Sequence, residues 1–254
     1  MKIIDTHCHL DFAAYDEDRE SVLKRAREVG VTGFVIPGVQ RSSWDQLIEF
    51  CSSSNDLHCA LGLHPMFINS HNNQHIKDLE QFVTHYQPIA IGEIGLDFYD
   101  RSQQDKQIDI FEKQLKLACD IELPVIVHAR RAHEEVLTCL KKYPVKSGIA
   151  HAFNGSLQQA ERYLHYNFKF GFGGMLTYER STKLRKLAQE LPLNTIVLET
   201  DSPDMTVEQH RGGRNSPEYL SYCLQALSEI KEVSIDEVAS KTTENAKKVL
   251  GIHQ

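Results

Sequence analysis

Two histidines near the start of the chain, His7 and His9, have the type and spacing of a metal-binding pair. They follow a short apolar segment that is predicted to form a strand over residues 3–5. Side chains two positions apart on an extended chain point to the same side, so both imidazoles face one way. Imidazole is a common ligand of divalent metals. A single H-x-H pair is nevertheless an ordinary feature of proteins, so a metal site requires further ligands elsewhere in the chain.

The elements that would position such ligands alternate along the chain. Apolar segments bounded by turn residues predict eight strands, at 3–5, 33–37, 59–63, 89–93, 125–128, 148–150, 168–172 and 196–199. Helical patterns lie between them at 18–29, 42–51, 78–86, 104–119, 132–143, 156–166 and 181–190, and two more follow at 217–230 and 234–250. Short connections between strands and helices imply parallel strands.

Eight strand–helix units predict an α/β fold, specifically a (β/α)8 TIM-type barrel with a C-terminal helical extension, formed as a single domain over residues 1–254. An open doubly wound sheet is the alternative. The barrel is favoured by the strand count, and also because no Gly-rich dinucleotide-binding loop follows the first strand.

Ligand-type residues cluster where the predicted strands end. In a barrel these ends meet on one rim, where barrel enzymes have their active sites. The side chains gathered there would be His7, His9, His64, Glu93, His128, His151 and Asp201. Buried ionisable groups need partners, so such a set favours a metal site over isolated core residues. The remaining histidines predicted to be solvated at the surface are His71, His75, His85, His165 and His253.

The predicted ligands are too many for one tetrahedral ion and suit two divalent ions that share a carboxylate. Glu93 is the predicted bridge. The other ligands would divide into His7, His9 and Asp201 on one ion and His128 and His151 on the second. Mixed nitrogen and oxygen ligands permit Zn²⁺, Mn²⁺, Mg²⁺, Co²⁺ or Ni²⁺, so the expected cofactor is two divalent ions per subunit, of a kind that the sequence does not select.

A site of this type predicts hydrolysis by a metal-activated water. Asp201 is the predicted general base, with capping of a helix before Ser202 as its alternative role. His64 exceeds the ligand count and is predicted to contact a substrate phosphate or to donate a proton to the leaving group. Arg130 would hold a substrate phosphate.

Other side chains in the predicted rim loops bear on the substrate. Arg101, Arg180, Arg211 and Arg214 could give the rim a local positive charge. The aromatic residues of these loops are Phe98, Tyr99, Phe153 and Tyr178, for which packing is the ordinary role and stacking on bases the alternative.

Composition narrows the class of protein. The net charge of −7 argues against a protein that coats nucleic acid non-specifically. No apolar run is long enough to cross a membrane, and no secretory signal is expected, because the first predicted strand begins at once. The six cysteines form no C-x-x-C pair, which favours reduced thiols in a cytoplasmic protein. A monomer with no obligate protein partner is expected.

The motifs at these positions resemble those of the TatD family of metal-dependent deoxyribonucleases, within the amidohydrolase superfamily. They are D-T-H-C-H-L-D at 5–11, G-L-H-P at 62–65, G-E-I-G-L-D at 92–97, P-V-I-V-H-A-R at 124–130, H-A-F-N-G-S at 151–156, E-T-D-S-P at 199–203 and R-N-S-P at 214–217. The resemblance covers essentially the whole chain, which is similar in particular to the YjjV-like branch. Ala152 and Asn154 depart from the family pattern, which puts a contact near the substrate in doubt rather than the chemistry.

The resemblance implies a TIM-type barrel, a two-metal site with the ligands named above, and hydrolysis of DNA phosphodiester bonds, with single strands or 3′ ends as substrate. A second hypothesis is an amidohydrolase-type enzyme that cleaves a C–N or ester bond of a small molecule. Many such barrels bridge their metals through a modified lysine after the fourth strand, where this chain has Glu93. A third hypothesis is a metal-binding protein without catalysis, which an intact ligand set argues against.

Overall fold

The structure, a computed structural model that describes residues 2–252, contains one parallel sheet of eight strands in the order of the sequence. The strands are β1 Ile3–Asp5, β2 Val31–Pro37, β3 Leu57–Leu61, β4 Ala90–Asp97, β5 Val125–Arg130, β6 Gly148–Ala150, β7 Phe168–Phe172 and β8 Ile196–Leu198. This topology confirms the predicted barrel. His253 lies outside the described residues.

Nine α-helices cover the sheet within this part of the chain. They are α1 Arg19–Glu28, α2 Trp44–Ser52, α3 Asn73–Tyr86, α4 Gln104–Asp120, α5 His133–Lys142, α6 Leu157–Leu164, α7 Thr182–Glu190, α8 Leu220–Lys231 and α9 Ile235–Leu250. The largest error in the predicted bounds is the start of α3, which the pattern placed at 78. The Asn72 side chain accepts hydrogen bonds from the N–H groups of Gln74 and His75, and this cap starts the helix at Asn73.

Backbone hydrogen bonds between the first and last strands close the barrel. Thr6 N–H donates to the Leu198 carbonyl at 3.0 Å. Beyond the strand ends, Asp201 N–H donates to the His7 carbonyl and His9 N–H to the Ser202 carbonyl, both at 2.8 Å. These bonds place the segments after β1 and β8 side by side, so ligand-type residues from the two ends of the chain become neighbours.

The interior of the barrel is a packed core rather than a pore. One buried apolar cluster takes a side chain from seven of the strands: Ile4, Val35, Ala60, Ala90, Ile126, Ile149 and Val197. Ala246, Val249 and Leu250 of α9 complete the same cluster, so the C-terminal helix covers one end of the barrel interior. Among residues 2–252, no helix has both the length and the apolar character required to cross a membrane.

Candidate metal centre

All seven predicted rim residues converge at the carboxyl ends of the strands. The segment after β1 is held against the segment after β8 by Asp5, which is fully buried. Its carboxylate accepts hydrogen bonds from the Thr200 N–H at 2.9 Å and the Thr200 hydroxyl at 2.6 Å, and from the His7 N–H at 3.3 Å. Asp5 therefore fixes the backbone on both sides of the cluster.

Glu93 stands at the centre of the cluster, and its two oxygens face different histidines. Oε2 lies 3.2 Å from His7 Nε2 and 3.6 Å from His9 Nε2. Oε1 lies 3.2 Å from His64 Nε2 and 3.3 Å from His128 Nδ1. Glu93 is buried within β4, which continues to Asp97 rather than ending at 93 as predicted. The carboxylate thus occupies the position of a bridge between two sets of nitrogens.

Asp201 also lies between two groups of histidines. Oδ1 is 3.7 Å from His7 Nε2 and 3.8 Å from His9 Nε2, and Oδ2 is 3.6 Å from His151 Nε2. The Asp201 backbone has a φ of 56°, in the left-handed region that is costly for residues other than glycine. The bonds between the β1 and β8 segments hold the residue in this conformation.

Two acidic residues outside the predicted site each lie beside one ring nitrogen of a predicted histidine ligand. Glu199 Oε1 lies 3.0 Å from His151 Nδ1, and Asp97 Oδ2 lies 3.3 Å from His128 Nε2. Carboxylates at such positions orient metal-binding histidines. Each of these residues lies in a motif that also contains a predicted ligand: Asp97 shares its motif with Glu93, and Glu199 shares its motif with Asp201. These motifs were the sequence signal for a role at the site.

The ring of His64 is turned so that a nitrogen bearing hydrogen faces the cluster. Its Nδ1 accepts a hydrogen bond from the Met66 N–H at 3.0 Å. The neutral ring must then carry its hydrogen on Nε2, the atom that faces Glu93 Oε1. A protonated ring nitrogen cannot ligate a metal. Although His64 is near enough to Glu93 and His128 to complete a trio of ligands, its hydrogen bonds favour donation to an oxygen.

The ionisable groups of the cluster shift one another strongly. Burial opposes ionisation of Glu93, but its interactions with the imidazoles of His64 and His7 outweigh burial and hold the pKa of this carboxyl well below its usual range. Burial likewise opposes ionisation of Asp201, yet His151 lowers the pKa of Asp201 to about 2. Burial lowers the pKa of His64. The centre therefore combines ionised carboxylates with a neutral His64.

These residues fit divalent cations. Three trios have ligand atoms within 4.8 Å of one another: His7, His9 and Asp201; His7, Glu93 and His151; and His64, Glu93 and His128. His7 Nε2 and His9 Nε2 face each other at 3.2 Å. Two ligands of a tetrahedral ion with bonds of about 2.05 Å are separated by about 3.3 Å, close to this distance. The donor set of imidazoles and carboxylates suits Zn²⁺, Mn²⁺, Co²⁺ or Ni²⁺.

A cleft with a volume of about 710 Å³ is lined by the residues of the metal centre other than His7. Arg130 and Arg180 line this cleft, whereas Arg101, Arg211 and Arg214 do not. Arg214 instead donates to both oxygens of Asp18. The rim is therefore less basic than the sequence suggested.

The predicted rim aromatics mostly belong to the core. Phe98, Phe153 and Tyr178 are buried, which confirms the packing role for these three. Tyr99 is 64% exposed, with the guanidinium of Arg130 4.3 Å from its ring centroid.

The prediction that His71 is solvated is wrong. The side chain is buried, and its Nε2 lies 2.9 Å from the carbonyl oxygen of His64. The segment after β3 folds back through a short 3-10 turn, Pro65–Phe67, and carries His71 beneath His64. His85 and His165 are exposed as predicted, whereas His75 is half-buried.

An eight-stranded parallel barrel with histidines and carboxylates at the ends of its strands is the arrangement of a metal-dependent hydrolase. A family model described as TatD related DNase matches residues 4–251. The chain belongs to this family, as its motifs predicted.

Individual relatives agree with this assignment. The protein named uncharacterized metal-dependent hydrolase YjjV, from Escherichia coli K12, is 37% identical over 248 residues, which cover 96% of each chain. The 3'-5' ssDNA/RNA exonuclease TatD of Erwinia amylovora is 30% identical over 259 residues, covering 98% of this chain and 100% of the relative. The crystal structure of the TatD homologue YjjV from Escherichia coli K12 has a TM-score of 0.95 and 36% identity, covering 99% of this chain and 98% of that one.

Proposed function

We propose that this metal-dependent hydrolase is a two-metal phosphodiesterase that removes nucleotides from the 3′ end of single-stranded DNA. The observation that carries the proposal is the position of Glu93, with each oxygen facing a different set of imidazoles. Such a carboxylate suits two ions that act on one phosphodiester. A bridge made by glutamate rather than by a modified lysine favours this chemistry over hydrolysis of a C–N bond.

The proposed ligands are His7, His9 and Asp201 for one ion, His128 and His151 for the other, and Glu93 for both. Divalent ions bound there would lower the pKa of a water ligand and neutralise charge on the phosphoryl oxygens. Asp201, which is ionised and remains 19% exposed, accepts the proton of the attacking water. The neutral ring of His64 donates a hydrogen bond from Nε2 to the leaving oxygen, which takes its proton from solvent, and Arg130 binds a non-bridging phosphate oxygen.

The cleft favours an unpaired chain end as the substrate. Its volume of about 710 Å³ accommodates a nucleotide but is far too small for a duplex. An unpaired strand end fits a cleft of this size, so we expect single-stranded termini rather than duplex DNA to reach the metal centre. The 3′ to 5′ direction is supported by the exonuclease from Erwinia amylovora.

Hydrolysis by metal-stripped protein, resupplied with Mg²⁺, Mn²⁺, Zn²⁺, Co²⁺ or Ni²⁺, tests the proposal. The substrates are single-stranded DNA labelled at either end, single-stranded RNA, and a panel of small phosphodiesters, esters and amides. Metal-dependent shortening from the 3′ end, absent in Asp201→Ala, is the expected result. Turnover of a small amide or ester alone would contradict the nuclease assignment and favour the amidohydrolase alternative. Full activity of Glu93→Ala or Asp201→Ala would contradict the catalytic roles.

We also propose a monomer, folded as one domain and located in the cytoplasm. All six cysteines are unpaired, as reduced thiols in that compartment would be. Light scattering of the purified protein tests whether it is a monomer, and fractionation of cells tests the cytoplasmic location.

A further inference from the structure

Apolar and basic side chains line different sides of the cleft. Because the strands follow one another around the barrel, the loops that follow them occur in the same order on the rim. Four adjacent loops, after β8, β1, β2 and β3, contribute an apolar arc that consists of Met205, Phe12, Val39, Met66 and Phe67. No lysine or arginine from these four loops lines the cleft.

The positive charges lie on the other side of the rim. Arg130 ends β5, and Arg180 and Lys183 follow β7; we call these three residues the basic arc. Leu184 and Leu187 of α7 also line this side, and Asp204, next to Met205 in the chain, lines the cleft on the side of the apolar arc. The two arcs therefore differ in charge, with the metal centre between them.

Arg180 and Lys183 are exposed and have no carboxylate within ion-pair distance among residues 2–252. Their neighbours on the same segment are engaged elsewhere. Arg185 donates to the Leu176 carbonyl at 2.6 Å, and Lys186 lies 3.8 Å from Glu190. Arg180 lies against the ring of Tyr178, with its guanidinium carbon 5.2 Å from the centroid. Two cations without protein counter-charges, facing a catalytic cleft in an acidic protein, are suited to bind a polyanion.

We propose that Arg180 and Lys183 form a second phosphate subsite, which binds the phosphate one nucleotide upstream of the scissile bond. This inference rests on the proposed function, because the scissile phosphate must lie at the metal centre. The strand then enters along the basic arc, and its terminal nucleoside lies against the apolar arc. Flexible methionine and aromatic side chains there accept any base, so the contact would not be sequence-specific.

Two dinucleotides with the same scissile bond test the subsite. Thymidylyl-thymidine without a 5′-phosphate has no upstream phosphate, whereas its 5′-phosphorylated form has one. The metal-loaded wild-type protein should prefer the phosphorylated form in kcat/KM by roughly three- to tenfold, the effect of two exposed ion pairs. Arg180→Ala/Lys183→Ala should lose this preference, and Lys186→Ala, on the same helix but outside the cleft, should keep it. A preference that is absent in the wild type or retained in the double variant would overturn the subsite.

A binding measurement separates failure of the subsite from failure of the nuclease assignment. Binding of a fluorescent single-stranded octathymidylate is measured in EDTA at several salt concentrations. The slope of log K against log salt should decrease by about 0.7 for each cation removed, or about 1.4 in the double variant. A smaller slope in the double variant, with no hydrolysis by the wild type, would retain Arg180 and Lys183 as a phosphate-binding site and reject the nuclease. An unchanged slope, or no binding by the wild type, would reject the subsite. Matching thermal unfolding of all variants verifies the fold.

Discussion

Glu199 Oε1 lies 3.0 Å from Nδ1 of His151, while Nε2 of the same ring faces Asp201 Oδ2 at 3.6 Å. The carboxylate also accepts a hydrogen bond from the Ala152 N–H at 2.7 Å. Gly171 makes this arrangement possible, because a Cβ at that position would overlap the Glu199 carboxylate. The orientation of one proposed metal ligand thus depends on a neighbouring strand that supplies no ligand.

Glu199→Gln should weaken metal binding by about 10- to 100-fold, since the amide keeps the size of the side chain but loses its negative charge beside His151. Calorimetric titration of the metal-stripped variant with Zn²⁺ or Mn²⁺ measures the effect. Asp97→Asn, which alters the corresponding contact with His128, provides a comparison. Wild-type affinity in Glu199→Gln would show that this contact does not support the ligand.

His64→Ala should lower kcat by about 10²- to 10³-fold, the usual effect of losing one hydrogen-bond donor to charge that develops in the reaction, and leave the metal content unchanged. The reason is that the hydrogen bond from the Met66 N–H places the hydrogen of the neutral ring on Nε2, the nitrogen that faces Glu93 at the metal centre. Metal analysis alongside steady-state kinetics distinguishes a hydrogen-bond donor from a metal ligand. A variant that loses one ion per chain would identify His64 as a ligand instead.

The apparent metal affinity should rise with pH. Burial opposes protonation of His151, but Glu199 and Asp201 outweigh burial and raise the pKa of this histidine well above its ordinary value of 6.5. A metal must therefore displace a proton from His151 at neutral pH, and affinity increases until the pH exceeds the raised pKa. Glu199→Gln should move the midpoint to lower pH. Titrations between about pH 6 and pH 9 check both expectations, and an affinity independent of pH would contradict them.

Asp5→Asn should change how stability depends on pH. Burial raises the pKa of Asp5 from 3.8 to about 7 in the folded protein. Between these values the unfolded chain releases a proton that the folded chain retains, so the wild type loses stability as pH rises, by about 4 kcal/mol in total. Asn has no charge to bury, so the variant should gain stability relative to the wild type as pH rises through this window. Denaturant unfolding of both metal-free proteins measures the difference, and a constant difference would disprove the account.

The local sequence was sufficient to predict the eight strands and the convergence of the ligand-type residues. Apolar runs buried on both faces are visible as continuous segments, and parallel strands place their carboxyl ends on one rim. His7, Glu93 and Asp201 could therefore be assigned to one cluster from their positions in the pattern, although they are far apart in the chain. The start of α3 could not be placed correctly, because it depends on the cap at Asn72.

Only the tertiary structure decided which groups support that cluster. The contact of Glu199 with His151 crosses between strands, and the burial of His71 follows from the return of one loop beneath His64. The separation of Arg180 and Lys183 from the apolar arc depends on the order of loops around a closed barrel. Sequence patterns report which face an element buries, because burial follows local periodicity. They do not report side-chain orientation, since the neighbours that set it come from distant parts of the chain.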